Sequence, residues 1–326
     1  MLGGVAQLAN WTVGNALGVY YGCASHRLSS SFSDATVTGL RPLHFFRGMM
    51  HFEPASPFLG TLRAHGFQPE VFRFPVSGEK NLLRQWQENT ADVLRHFIAH
   101  PEAIGETPVF CGHSAGGLTV YALAALAKGG NAAAVRATCP GLETTSLSAL
   151  EELGRQLSDA LFLTMASPLN GVRLTRVGRC VNKVLVEPRM PLLLSGITTP
   201  YLESLYRRIG RRPGEVIDAN LVSNDGRPAY HGGAVSKVSG RVIQGGMRVF
   251  SPFLDHGTVN DGIVPLDAAL LSGPIQVFAP FDHLKMVETS EAAAILVSLI
   301  RRVEDRRSAD EPLPPPASEP VLQQVS

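Results

Sequence analysis

One short stretch decides the fold of this chain: residues 109–117, Val-Phe-Cys-Gly-His-Ser-Ala-Gly-Gly. The stretch begins with an apolar run rich in β-forming residues, and the helical run Leu118–Ala127 follows it. A serine between a strand and a helix, with glycines in the order G-x-S-x-G, is typical of the tight turn that presents a nucleophilic hydroxyl. We therefore predict that Ser114 is a nucleophile. The alternative interpretation is an ordinary glycine-rich helix start.

Around this stretch, short apolar runs alternate with segments of helical period. The candidate strands are Leu43–Phe46, Glu70–Phe74, Pro108–Gly112, Ala160–Met165, Arg241–Gln244 and Ile275–Ala279. One helix is predicted over Glu79–His100, and another begins at Thr289 or Ser290 and buries the apolar stripe that includes Leu296 and Ile300. This alternation predicts an α/β fold with a mostly parallel, doubly wound sheet.

Two later segments carry the residues that a serine nucleophile needs. A serine hydroxyl is a weak nucleophile at neutral pH and requires a base that is oriented by an acid. Asp261 lies in an Asn-Asp-Gly turn, and His283 follows the last candidate strand. We predict that His283 takes the proton from Ser114 and that Asp261 orients the imidazole. The competing residues, which we expect to be ordinary surface residues, are His231, Asp255, His256 and Asp282.

Acyl transfer also requires backbone donors for the oxyanion. The amide of Ala115, directly after the nucleophile, is one candidate donor, and the amide of Met49, after the first strand, is the other. The predicted substrate-binding residues near these donors are Arg47, Met50, His113 and Leu169. Core packing is the alternative interpretation of the apolar members of this set.

The motifs together resemble those of α/β-hydrolases of the bacterial lipase and esterase type. The nucleophile motif G-H-S-x-G-G matches residues 112–117, the N-D-G-x-V segment matches 260–264, and the histidine before a leucine matches His283. The resemblance covers about residues 40 to 304 and implies an α/β-hydrolase fold with a Ser-His-Asp triad. Such lipases usually have His-Gly where this chain has Arg47-Gly48, and many have a calcium-binding aspartate where this chain has Lys285. We therefore predict no metal site.

The sequence also predicts the domain organisation of the chain. We expect an N-terminal helical segment over 1–35 and a catalytic domain over 36–305. Within that domain, residues 172–240 are rich in arginine and proline and are predicted to form a helical cap or lid. The end, residues 306–326, contains Pro314-Pro315-Pro316 and is predicted to be a disordered tail.

Composition narrows the function classes. The chain has 326 residues, 44% of them hydrophobic, and a formal net charge of +1, which argues against disorder and against nucleic-acid binding. Residues 172–240 carry 11 basic and 5 acidic side chains, so a basic cap could steer anionic substrates or contact a lipid interface. Cysteine spacing and glycine motifs predict no zinc site and no organic cofactor. No apolar run reaches 18 residues, and no transmembrane segment is predicted.

We therefore predict a serine carboxylic-ester hydrolase that acts on a small-molecule or lipid ester through an acyl-enzyme. The alternatives are an acyltransferase, a thioesterase or an amidase on the same triad, or a ligand-binding protein of this fold with little turnover. We expect a cytoplasmic protein, with secretion as the alternative because of the apolar N-terminus. The sequence gives no prediction of the oligomeric state.

Overall fold

The computed structural model describes residues 40–48, 54–72, 82–173, 175–181, 197–223, 264, 266–279, 281, 283 and 285–309. Their centre is one six-stranded sheet. Its strands are Arg41–Phe46 (β1), Phe67–Phe72 (β2), Val109–His113 (β3), Leu161–Met165 (β4), Ala219–Ser223 (β5) and Ile275–Ala279 (β6). The spatial order is β2-β1-β3-β4-β5-β6, and all five pairings are parallel.

Helices cover both faces of this sheet. The helices of the described residues are Ser56–Ala64 (α1), Leu82–Ala99 (α2), Gly116–Ala127 (α3), Ala132–Thr138 (α4), Leu147–Gln156 (α5), Arg176–Val181 (α6), Thr199–Ile209 (α7), Pro213–Val216 (α8), Leu266–Ala269 (α9) and Ser290–Ser308 (α10). Short 3₁₀ turns lie at Pro101–Ile104 and Lys285–Val287. The predicted doubly wound α/β architecture is confirmed.

The central strand β3 carries apolar side chains on both faces of the sheet, and helices bury both sets. Its side chains alternate, so Phe110 packs into one apolar cluster with α2, α3, α5 and α7, while Val109 and Cys111 pack into the other with α1 and α10. All five residues of β3 are buried. Each large apolar side chain that is fully buried in this way contributes roughly 1.5–3 kcal/mol.

The strand order places a crevice between β1 and β3. The chain runs from β1 outward to β2 and then returns to β3 on the opposite side of β1. In open parallel sheets, ligands bind outside the carboxyl ends of the strands at the point where the connections diverge in this way. A ligand site is therefore expected at the residues that follow β1 and β3.

Strand β5 was not predicted, because its sequence Ala-Asn-Leu-Val-Ser has the polar Asn220 at its second position. Asn220 is fully buried but satisfied, since its side chain accepts a hydrogen bond from Thr164 Oγ1 (2.9 Å) and donates one to the Ala269 carbonyl (2.8 Å). The predicted strand Arg241–Gln244 lies outside the described residues. Five of the six candidate strands thus correspond to observed strands, with ends that differ by up to three residues.

The segment 172–240 differs in part from the predicted cap. Helix α7 packs into the core through buried Leu202, Leu205 and Ile209, and β5 is an internal strand of the sheet. Residues 197–223 are therefore part of the layered domain rather than a lid over it. A cap formed by 172–196 and 224–240 stays a prediction, and much of both stretches lies outside the described residues.

The ends of the chain fall largely outside the description. Residues 1–39 and 310–326 are not among the described residues, so the predicted N-terminal segment and most of the predicted disordered tail stay predictions. The predicted start of the tail at residue 306 is wrong, because Arg306–Ser308 form the last turn of α10. Helix α10 begins as predicted, because the Thr289 side chain accepts a hydrogen bond from the Ala292 amide, and it extends to Ser308. In the part of the chain that is described, no helix has both the length and the apolar character needed to cross a bilayer.

Candidate active site

Ser114 occupies the turn between β3 and α3. Its φ is 55°, which lies in the left-handed region that a residue with a side chain adopts at a cost of about 1–3 kcal/mol. The Ser114 amide donates to the Met165 carbonyl (2.9 Å), and the Ser114 carbonyl accepts from the Gly117 amide (3.1 Å). The strained backbone is thus held by β4 on one side and by the first turn of α3 on the other.

The glycines of the motif permit close backbone contact. A Cβ atom on Gly112 would lie 2.6 Å from the carbonyl carbon of Gly116, and one on Gly116 would collide with the Phe46 carbonyl oxygen at the end of β1. Any side chain at either position would push β3, α3 and β1 apart. The glycines are therefore required by the packing of the turn and not by helix initiation alone.

The loop after β1 lies directly against Ser114. A Cβ atom on Gly48 would lie 2.6 Å from Ser114 Cβ and 3.0 Å from Ser114 Oγ. This contact places the predicted oxyanion loop beside the serine. Arg47 is buried (8% exposed), as is Ala115. Met49 and Met50, the predicted oxyanion donor and substrate contact, lie outside the described residues.

His283 is brought to the same corner of the molecule by the loop that follows β6. Its side chain is buried (2% exposed), and its carbonyl oxygen accepts a hydrogen bond from His113 Nε2 (2.9 Å). The two imidazole rings lie 4.5 Å apart between centroids. The predicted base therefore lies against the residue that precedes Ser114. Asp261, the predicted acid, lies outside the described residues.

The surroundings of His113 determine its protonation state. Burial, followed by the positive charge that His283 can carry, lowers the pKa of His113 well below its usual range, although the hydrogen bond to the His283 carbonyl opposes the shift. A carbonyl oxygen only accepts, so Nε2 of His113 must carry a proton. His113 is therefore neutral near pH 7, in the Nε2–H tautomer.

The loop after β4 contacts the Ser114 turn. Ser167 Oγ lies 3.1 Å from the Gly112 carbonyl oxygen and donates to it. A Cβ atom on Gly117 would collide with this hydroxyl, so Ser167 fits only because Gly117 has no side chain. Ser167 is not among the residues that the sequence predicts for the site. Its position two residues after β4, at the carboxyl edge of the sheet, was the available signal.

Two predicted substrate-binding residues are fully enclosed by protein. Leu169 and His113 have no exposed surface, and the Leu169 carbonyl accepts a hydrogen bond from the Tyr206 hydroxyl of α7. The predicted substrate contacts of Leu169, His113 and Arg47 stay predictions. Among the described residues, no three His, Cys, Asp or Glu side chains are grouped so that they could hold a metal ion.

The strand order, the serine turn and the buried histidine after the last strand define a protein of the α/β-hydrolase fold. No protein-family model matches the chain, and no curated protein matches it. Solved structures with a similar fold include a Bacillus licheniformis lipase in its mature form (13% identity, 84% of this chain and 96% of that chain, TM-score 0.44). Others are the phospholipase PlaB of Legionella pneumophila (11%, 83% and 64%, 0.45) and an esterase of Thermogutta terrifontis (14%, 86% and 88%, 0.35). One fold hosts many chemistries, so the residues of the site, and not the fold alone, determine the reaction.

Proposed function

We propose that this protein is a serine hydrolase that cleaves carboxylic esters through a covalent acyl-enzyme. One observation carries the proposal: Ser114 lies on a left-handed turn, with Gly48 against its side chain and His283 held against the preceding residue. A strained serine with a buried histidine nearby is an arrangement suited to nucleophilic catalysis. A glycine-rich helix start would not require the approach of the loop after β1.

The chemistry assigns one role to each residue. His283 takes the proton from Ser114 Oγ as the oxygen attacks the ester carbonyl, and Asp261 orients the imidazole and stabilises its charged form. The tetrahedral oxyanion accepts hydrogen bonds from the amides of Ala115 and Met49. His283 then protonates the leaving alcohol, and water, activated by the same histidine, hydrolyses the acyl-enzyme to release the acid.

Gly48 supports this assignment by the space that it leaves. With a side chain at this position, the first carbon would lie in contact with the nucleophilic oxygen, where the substrate carbonyl has to enter. Glycine keeps that volume open and lets backbone donors approach the oxyanion closely. The substrate class that we propose is an uncharged or anionic carboxylic ester, either a small molecule or a lipid.

The test combines covalent labelling with turnover. We expect the purified protein to react with a fluorophosphonate probe and to hydrolyse p-nitrophenyl esters, and we expect Ser114→Ala to abolish both while its melting temperature stays close to that of the wild type. Removal of a catalytic nucleophile typically costs about 10⁴-fold or more in kcat. Ser158→Ala, which changes an exposed serine after α5, is the matched control and should behave as wild type.

Two outcomes would contradict the proposal. Full esterase activity in Ser114→Ala would exclude Ser114 as the nucleophile. A wild-type protein that binds ester-like ligands but does not react with the probe would be a binding protein with a misaligned triad. A p-nitrophenyl ester series of increasing chain length, together with emulsified triglyceride, amide and thioester substrates, then separates the chemistries that one triad can support.

A further inference from the structure

We infer that His113 is a positioning residue for the catalytic base: its Nε2–H holds the backbone of His283 beside the nucleophile. This inference rests on the proposed function, because it assigns His283 as the base. It differs from the substrate contact that the sequence predicts for His113. The observations that carry it are the hydrogen bond of 2.9 Å, the ring contact and the complete burial of His113.

The topology explains why the base needs to be held. Among the described strands, β6 is at the edge of the sheet, and β4 and β5 separate it from β3. At a strand spacing of about 4.8 Å, the end of β6 lies about 14 Å from the end of β3. The loop after β6 therefore has to return across two strand ends before His283 can serve Ser114.

Two hydrogen bonds tie this returning loop to the far side of the sheet. One is the bond from His113 Nε2 to the His283 carbonyl, and the other is the bond from the Ala55 amide to the Val287 carbonyl (2.8 Å). The second bond fixes the loop to the residue before α1, on the same face as α10. The first fixes it at the base itself, from the strand that carries the nucleophile.

The direction of the His113 side chain fits this role. Val109 and Cys111 of β3 point to the face covered by α1 and α10, and alternation along the strand sends His113 to the same face. Helix α3, which begins at the nucleophile turn, covers the opposite face. His113 thus reaches the base loop from the face of the sheet opposite to α3.

Among the described residues, the buried Nδ1 of His113 has no hydrogen-bond partner, although buried polar groups are nearly always paired. A buried polar atom without a partner carries an energetic penalty. A leucine would fill a similar volume without that penalty. The compensating feature is Nε2, which reaches the His283 carbonyl. The neutral state of His113 also keeps a second positive charge away from His283 when the base takes up a proton.

Three variants separate the hydrogen bond from the packing. His113→Gln keeps an N–H donor at the same number of bonds from Cα as Nε2, His113→Phe keeps an aromatic ring without a donor, and His113→Leu keeps only apolar volume. If positioning is the role, Leu and Phe lower kcat for a p-nitrophenyl ester by about 10- to 100-fold, since small misplacements of catalytic groups have effects of this size. KM changes by less than about twofold, and Gln retains kcat within about threefold of the wild type.

Two results would overturn the inference. If Leu and Phe retain kcat within about twofold of the wild type, the bond does not position the base. If Gln loses as much kcat as Leu, then ring packing rather than the donor matters. Melting temperatures of all variants accompany the kinetics, so that lost activity is not confused with lost folding.

A measurement without turnover keeps this result separate from the proposed function. In ¹⁵N-histidine-labelled wild-type protein, we expect one ring that stays in the Nε2–H tautomer from pH 7 to pH 5, with a slowly exchanging Nε2 proton that is missing in His113→Gln. A His113 ring that titrates as an ordinary exposed histidine would overturn the inference. If this signal is present but the protein has no esterase activity, the hydrogen bond stands and the proposed function fails.

Discussion

The turn after β3 and the loop after β6 are held in place by different kinds of contact. The turn that carries Ser114 is fixed by backbone contacts with β1, β4 and α3, and its glycines leave no room for side chains. The loop that carries His283 crosses two strand ends and is tied to β3 through the side chain of His113. Ser114 is thus placed mainly by backbone contacts, whereas the position of His283 depends in part on one side chain that a single substitution can remove.

The largest expected effect tests the first half of this comparison. Gly116→Ala puts a methyl group onto the Phe46 carbonyl, so we expect it to lower the free energy of unfolding by about 3 kcal/mol or more. Gly60→Ala is the matched control, because Gly60 lies inside α1 with nothing within 4 Å of its Cβ position. The control should be stabilised by about 0.5–1 kcal/mol. Urea unfolding measures both, and equal stabilities would refute the account of the turn.

The second prediction sharpens the account of the base loop through pH. The folded-state pKa of His113 lies below its unfolded value, so below about pH 6.5 the unfolded state binds a proton that the folded state excludes. Stability should therefore fall as the pH falls. Relative to His113→Gln, the wild type should lose about 1.4 kcal/mol of unfolding free energy per pH unit between pH 6 and 5. Parallel stability curves for the two proteins would show that His113 does not stay neutral in the folded state.

The smallest expected effect lies at the opposite edge of the sheet, away from both loops. A hydrogen bond from His44, together with the charge of that ring, lowers the pKa of Glu70 on β2, although partial burial opposes the shift. Glu70 therefore contributes stability above its unfolded pKa of 4.5, and this stability is lost as the pH falls through the lower folded value. Because the carboxyl is half exposed, we expect Glu70→Gln to cost less than about 1 kcal/mol at pH 7 and less at pH 3 than at pH 7. A cost as large at pH 3 as at pH 7 would refute the ionic explanation.

One arginine of the predicted basic cap can be located relative to the Ser114 turn. Arg211, one of the arginines after α7, donates a hydrogen bond to the Lys128 carbonyl at the end of α3 (2.9 Å). The 12 residues of α3 separate that end from the Ser114 turn by about 18 Å. Arg211 thus lies far from the Ser114 turn. Steering of anionic substrates by the remaining basic residues stays a prediction.

Sequence patterns predicted best where the signal is local. The strand before Ser114, the glycines after it and the helix that follows are contiguous, so one stretch of the chain specifies the turn. The capping of α10 by Thr289 is local in the same way. Strand β5 was missed because Asn220 looks polar in the sequence, and only its contacts with Thr164 and Ala269 make it a core residue.

Local and periodic patterns in the chain predict the Ser114 turn, the parallel α/β order and the candidate base His283, because each depends on neighbouring residues or on periodic burial. The approach of Gly48 to Ser114 and the hydrogen bond from His113 to the His283 carbonyl, 170 positions along the chain, are visible in the folded structure alone. The physical reason is that these contacts depend on how β1, β3 and β6 are ordered in the sheet. A histidine that looks like part of a local motif therefore gains its partner only when the last strand and the loop after it have been placed.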